Sequence, residues 1–275
     1  MKLSYEDYKR YHASKCQVCK GVERIQKNGI WVVCACQHSA SIKWEYDQIK
    51  IYPDSIKYKT WDDFIGIDDK GAKLTDRSFV DAKGKSLLYC FDCADPAAIK
   101  DRASHSIVLK HLKDAQNVVI VGGTHSGKSL VATLILKEVI YASVLRQEQV
   151  HFQWIRSIEL VDAARWDVQK KTIDRDYLDE LSKVSFLFID GFDLRPERGD
   201  HRFPPDINSL NTLFNNRIEQ LPTILICSDR FWKAACTPGQ CDLIREEWGD
   251  DFMSLLGHSR NVVIELHKEA KRVGH

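Results

Sequence analysis

A chain of 275 residues, 44% apolar and 29% charged, has the composition of an ordinary globular protein and the length for one full domain with a smaller companion. Its net charge of +1 excludes a globally basic nucleic-acid binder, although residues 1–60 carry 11 Lys and Arg against 6 Asp and Glu while the remainder carries 29 against 33. No apolar run approaches the roughly 18 residues needed to span a bilayer, and the opening MKLSYEDYKRYH lacks a secretory segment, so a cytoplasmic protein with no membrane partner is expected.

The charge bias at the N-terminus reads either as surface scatter or as a modestly basic module. The nine cysteines are an odd number in a chain with no export signal, which argues for metal ligands and buried thiols over disulfides. Cys16 and Cys19 form one close pair and Cys34 and Cys36 another, separated by a hairpin-length stretch with Asn28-Gly29 as its turn. Four thiolates so spaced suit a tetrahedral, structural Zn²⁺, and a module this small needs such a staple to fold. His12 and His38 flank the set as alternative ligands. Cys90 and Cys93 form a second pair with no partner pair nearby and read as packed thiols. Residues 1–65 are expected to form the zinc module, 66–115 a linker with some helical spacing around Ile107, Leu109 and Leu112, and 116–275 the main domain.

From Asn117 onward, short apolar runs alternate with amphipathic segments. Strands are predicted at 117–121, 150–155, 186–190, 223–227 and 261–266, with helices near 128–145, 157–169, 175–183, 206–220 and 243–256. That alternation implies parallel pairing and a doubly wound α/β sheet. Between the first strand and helix, GGTHSGKS fits the phosphate-loop pattern. Gly122, Gly123, Thr124, His125, Ser126 and Gly127 would wrap ATP with backbone N–H groups. Lys128 would reach the β- and γ-phosphates, and Ser129 would ligate Mg²⁺. Asp190, closing the apolar run FLFID, is the expected Mg²⁺ acid; Ser228-Asp229 stands where a γ-phosphate sensor would lie.

These pieces together resemble the DnaC/DnaI-type helicase loaders. The resemblance runs from about Cys16 to Val263 and is carried by the four-cysteine module, KYKTWDDF, GGTHSGKS, LSKVSFLFID, NNRIEQLPTILICSD and EEWGDDFMSLLGHSRNVVIEL. It implies a P-loop AAA+ ATPase without a helical lid, preceded by a small zinc-binding domain. It also implies ATP, Mg²⁺ and Zn²⁺ as cofactors, single-stranded DNA and a DnaB-type replicative helicase as partners, and self-assembly through the ATPase domain. The 46 residues after Asp229 leave room for a helix and a last strand but no lid.

Three positions depart from the family's pattern. Gly191 replaces a second acid, Asp229 replaces the sensor Asn, and Leu255 replaces an arginine expected to act across a subunit interface. Arg217, Arg245 and Arg260 are the possible substitutes, with Lys128, Asp190, Asp229 and Arg217 the expected catalytic set. These departures imply ATP binding with slow turnover, and Asp193 or Glu197 could take over the water-positioning role. Trp154, Arg156, Trp166 and Lys170-Lys171 are candidates for single-strand binding. Tyr5, Tyr8, Tyr11, Trp31 and Trp44 are candidates for the helicase contact, and the polar loop 195–205 reads first as a solvated loop, with covering the nucleotide or contacting DNA as alternatives. Two other readings compete: a non-enzymatic ATP-binding adaptor, and an IstB-type transposition helper, against which the cysteine module counts.

Overall fold

Five apolar runs zip into one parallel sheet because each is flanked by a helix that returns the chain to the same end. The computed structural model describes residues 4–51, 54–57, 117–146, 150–165, 172–193, 205–259 and 261–266. The expectations placed on the TWDDF stretch, residues 66–115 with Cys90 and Cys93, Trp166, Lys170-Lys171, Glu197 and its loop, and Arg260 lie outside these residues.

The N-terminal module contains α1 (Tyr5–Ser14), β1 (Arg24–Lys27), β2 (Ile30–Val33) and α2 (Ala35–Gln48). Ser4 caps α1 by accepting from Asp7 N. The two strands form an antiparallel hairpin whose turn residues, Asn28 and Gly29, take φ of 51° and 79°, the left-handed backbone that tight hairpins need.

The main domain runs β3 (Val118–Gly122), α3 (Lys128–Arg146), β4 (Phe152–Arg156), α4 (Ser157–Ala163), α5 (Arg175–Lys183), β5 (Phe186–Phe192), α6 (Ile207–Arg217), β6 (Thr223–Ser228), α7 (Asp229–Ala235), α8 (Cys241–Trp248), α9 (Asp250–Leu256) and β7 (Val262–Leu266). Sheet order is β4-β5-β6-β3-β7, all parallel, the α/β architecture expected. The chain leaves β3 for the far edge, fills back to β6, then crosses to β7. β3 therefore sits at the point where the winding reverses, and the carboxyl end of such a strand is where open α/β sheets bind ligands.

Alternate residues of each strand enter two cores. On one face Val119, Val121, Leu187, Ile189 and Leu225 pack with α4 through α9. On the other, Val118, Ile120, Ile224 and Ile226 meet α3. One helix is too narrow for a five-stranded face, and α3 is buried nearly all round, from Val131 and Leu134 to Ile140. Tyr46, Ile49 and Ile51, from the end of α2 and just beyond it, join this same cluster, and Lys137 of α3 sits 5.3 Å from the Tyr46 ring. The cysteine module is thus packed directly on the helix after the phosphate loop.

Among the described residues, no helix is long and apolar enough to cross a membrane.

Candidate nucleotide and metal sites

The loop between β3 and α3 is shaped by where side chains cannot go. A Cβ on Gly122 would fall 2.4 Å from Ser126 Oγ and 2.6 Å from the Leu266 carbonyl oxygen of β7, so only glycine lets the loop leave the sheet here. His125 (φ 63°) and Gly127 (φ 92°) are left-handed and turn the chain into the first residue of α3. Thr124 and His125 are exposed at the rim, whereas Ser126 Oγ is buried with no hydrogen-bond partner among the described residues. Lys128 Nζ donates to the carbonyls of Gly122 (2.9 Å) and Gly123 (2.7 Å). Burial pushes the Lys128 pKa down, opposed by the carboxylates of Asp190, Asp229 and Asp193.

Ser129 Oγ, in the first turn of α3, donates to Asp190 Oδ2 of β5 at 2.7 Å. Burial raises the Asp190 pKa, opposed by that hydrogen bond, by the Gly191 N–H and by Lys128. The donor set fits the expected ligands. Hydroxyl and carboxylate oxygens are the hard ligands Mg²⁺ takes, and Ser129 with Asp190 would hold it. When bound, Mg²⁺ would neutralise charge on the β- and γ-phosphate oxygens. The Lys128 ammonium, resting on loop carbonyls, and the backbone N–H groups at the start of α3 can receive phosphate. Asp229 begins α7 and lies against the loop, its Oδ2 3.4 Å from where a Cβ of Gly123 would be.

The strand carrying Asp190 does not end there. β5 continues through Gly191 to Phe192, which enters the core against Trp248 (4.8 Å between ring centroids), Phe252 (5.1 Å) and Phe231 (5.4 Å).

Other expected site residues sit elsewhere. Arg217 is 0% exposed, and its guanidinium donates to the carbonyls of Leu181, Val184 and Pro222 and to Thr223 Oγ1 at 2.7–3.0 Å. It ties α5 and α6 to the start of β6 and cannot reach a phosphate of its own or a neighbouring subunit, which corrects its assignment as a catalytic residue. Burial without a carboxylate partner lowers its pKa to about 9. Leu255 is a core residue, and Arg245 is paired with Asp242 and Asp250, both at 3.0 Å. Trp154 is buried and stacked on Phe188 (5.3 Å, 6° between planes), so it is no platform for a base. Arg156 is exposed but paired with Glu159 at 3.1 Å. Of the module's aromatics, Tyr5, Tyr8 and Trp44 pack on one another between α1 and α2, leaving Trp31 (60% exposed) and Tyr11 (48%) outward.

The four module cysteines converge, with sulfurs all within 4.8 Å of one another. Cys16 and Cys34 sulfurs are 3.8 Å apart and those of Cys19 and Cys36 are 3.6 Å apart. A tetrahedron with Zn–S bonds of about 2.3 Å has edges of about 3.8 Å, so this cage fits Zn²⁺. Cys34 occupies the N-cap position of α2 with no side-chain capping bond, keeping its sulfur for the cage. Backbone N–H groups of Cys19 and Val18 hold the Cys16 thiol down to about 7, whereas burial raises that of Cys36. His12 is instead packed on the Tyr8 ring, 4.5 Å between centroids. Purified protein is expected to carry one zinc per chain by elemental analysis, and stripping it should unfold the hairpin with loss of far-UV signal. A stripped chain with unchanged spectrum and Tm would sink the structural role.

No family model matches this chain, and no curated protein does. Among solved structures, it is similar to a crystal structure of DnaI, at 17% identity over 64% of this chain and 87% of that one, with a TM-score of 0.39. It is also similar to a provisionally assigned primosome component from Streptococcus pyogenes serotype M3, at 17% identity over 84% and 96%, with a TM-score of 0.42. A third likeness is to domain III of the Thermotoga maritima replication initiation protein DnaA, at 20% identity over 62% and 60%, with a TM-score of 0.35.

Proposed function

We propose that the chain is an ATP-operated helicase loader of the AAA+ type. It binds ATP and Mg²⁺ at the 122–129 loop with Asp190, engages a DnaB-type replicative helicase through the zinc module, and delivers it onto single-stranded DNA. The observation that carries this reading is the joint between the two parts. Tyr46, Ile49 and Ile51 of the module share a core with α3, and α3 begins with Lys128 and Ser129. A change at the phosphates is felt at the foot of the helix that the module grips.

Hydrolysis in this reading is slow. Among the described residues, the positions that could supply a cation to the transition state are occupied by buried Arg217, core Leu255 and acid-paired Arg245. An arginine in that role accounts for about 10³–10⁵ in rate in related phosphoryl-transfer sites. The same observation favours a second reading, an adaptor that uses ATP only as an assembly ligand.

A pull-down of the cognate replicative helicase, run with the wild type and with Cys16→Ser, tests the proposal. Capture that depends on ATP and is lost in the variant is expected. Failure of the wild type to capture helicase in either nucleotide state removes the loader reading. Capture without any Lys128-dependent ATP turnover leaves the adaptor.

A further inference from the structure

The acid that would ordinarily come directly after Asp190 is disfavoured by the conformation of this backbone, although a Cβ at Gly191 would meet only Ser157 Oγ, at 3.7 Å. β5 and β6 pair in step up to Asp190, opposite Ile226; the next partners are Phe192 and Cys227, so Gly191 is an extra residue bulged out of the ladder. Its φ is +89°, a left-handed conformation that a residue with a Cβ seldom adopts. Ser157 Oγ donates to the Gly191 carbonyl at 2.7 Å and fixes the bulge from the neighbouring strand end.

The bulge re-aims the two residues after it. Phe192 turns into the core at 1% exposure, and Asp193 emerges beside the end of β6, where Ser228 Oγ donates to its Oδ1 at 2.5 Å. Ser228 is itself held by the Phe231 N–H, which donates to its Oγ at 3.1 Å. Asp193 is exposed, and among the described residues the hydrogen bond from Ser228 engages its Oδ1. The neighbour of Ser228 along the chain, Asp229, already touches the phosphate loop at Gly123. Ser228, which holds Asp193, pairs in register with Gly122 at the end of β3, which places Asp193 at the phosphate-loop end of the sheet.

We propose that Asp193 is the water-activating carboxylate of this site, displaced along the chain by the Gly191 bulge and oriented by Ser228. The assignment rests on the site hydrolysing ATP. As the water oxygen bonds to the γ-phosphorus, Asp193 Oδ2 accepts its proton. The bond from the γ-phosphorus to the bridging oxygen breaks and its electron pair leaves with ADP. The proton then passes from Asp193 to solvent, restoring the carboxylate beside free phosphate. Ser228 is a positioning residue in this step. In this assignment the base is present, so slow turnover would have to arise elsewhere in the site.

Asp193→Asn keeps the acceptor for Ser228 and removes the base. Single-turnover conversion of bound ATP should fall about 100-fold or more, the range of a lost general base. Affinity for a fluorescent ATP analogue should stay within about twofold and Tm should be unchanged, so bound ATP simply persists longer. Ser228→Ala should lower kcat less, with KM unchanged. Lys128-dependent turnover retained by Asp193→Asn overturns the assignment while leaving ATP hydrolysis intact. Absence of any Lys128-dependent turnover in the wild type overturns both. A fall in turnover matched by lost nucleotide affinity or lost Tm would mark Asp193 as structural and also overturn it.

Discussion

Arg217→Met is expected to lower Tm while leaving the phosphate loop able to bind ATP. The guanidinium is wholly buried, and among the described residues three carbonyls and a hydroxyl hold it, with no carboxylate. Burying a charge costs several kcal/mol, and here four hydrogen bonds to a cation offset that cost. Methionine fills similar volume and removes the buried charge, but it leaves those acceptors without their donor at about 1–3 kcal/mol each. Pro222 O keeps a long contact from Leu187 N at 3.4 Å, so the loss is not the full sum. A net cost of about 3 kcal/mol lowers Tm by roughly 6–12 °C for a domain of this size. Arg217→Lys should recover only part of it, because an ammonium cannot match a forked acceptor set. Had Arg217 been a transition-state group, either variant would lose turnover at unchanged Tm, and differential scanning calorimetry beside single-turnover kinetics tells these apart.

Lys128→Ala is expected to abolish the rise in Tm that ATP produces in the wild type. In the nucleotide-free protein Lys128 is a half-buried cation whose burial is unfavourable to its charged form, and its acceptors, Gly122 O and Gly123 O, lie on a partly open loop. Its loss should therefore change the apo protein little. With phosphates present, the same ammonium makes charge-assisted hydrogen bonds worth about 1.5–3 kcal/mol each. Two such bonds correspond to roughly 100-fold or more in affinity. At ligand near 100 times the wild-type Kd, ATP stabilises by about 2.7 kcal/mol, and most of that shift disappears in the variant. A full ATP-induced shift in Lys128→Ala would show that the loop is not the nucleotide site.

The parts of the fold legible in the sequence are those dictated locally. Five apolar runs predicted all five strands of the main sheet, because parallel strands buried on both faces read as continuous Val, Ile, Leu and Phe. The segment 243–256 reads as one helix, yet Gly249 at φ 90° divides it into α8 and α9; a Cβ there would lie 2.0 Å from Asn211 Oδ1, a contact 38 residues away in sequence. Ser228-Asp229, expected as a strand-end sensor pair, is the N-cap and first residue of α7. The four cysteines were legible because metal spacing is a local signal. Arg217 was misread because its motif context suggests reactivity, while the acceptors that bury it, Leu181 and Val184, are 36 and 33 positions away. The strand predicted to end at Asp190 runs on, since a bulge interrupts the alternation without ending the pairing.

The shared core of α2 and α3 changes what counts as the smallest cooperative unit. The cysteines that close the cage lie at the start of α2, and the side chains that complete the sheet's inner face lie at its end. An ATPase fragment beginning at residue 116 would leave part of its own interior behind, with the outer side of α3 stripped of cover. Oxidation of the thiolates would accordingly register first as a folding defect of the nucleotide domain, before any partner is involved. With Zn²⁺ in the cage, as proposed, removing the metal would be expected to lower the stability of the nucleotide-loop domain together with that of the module.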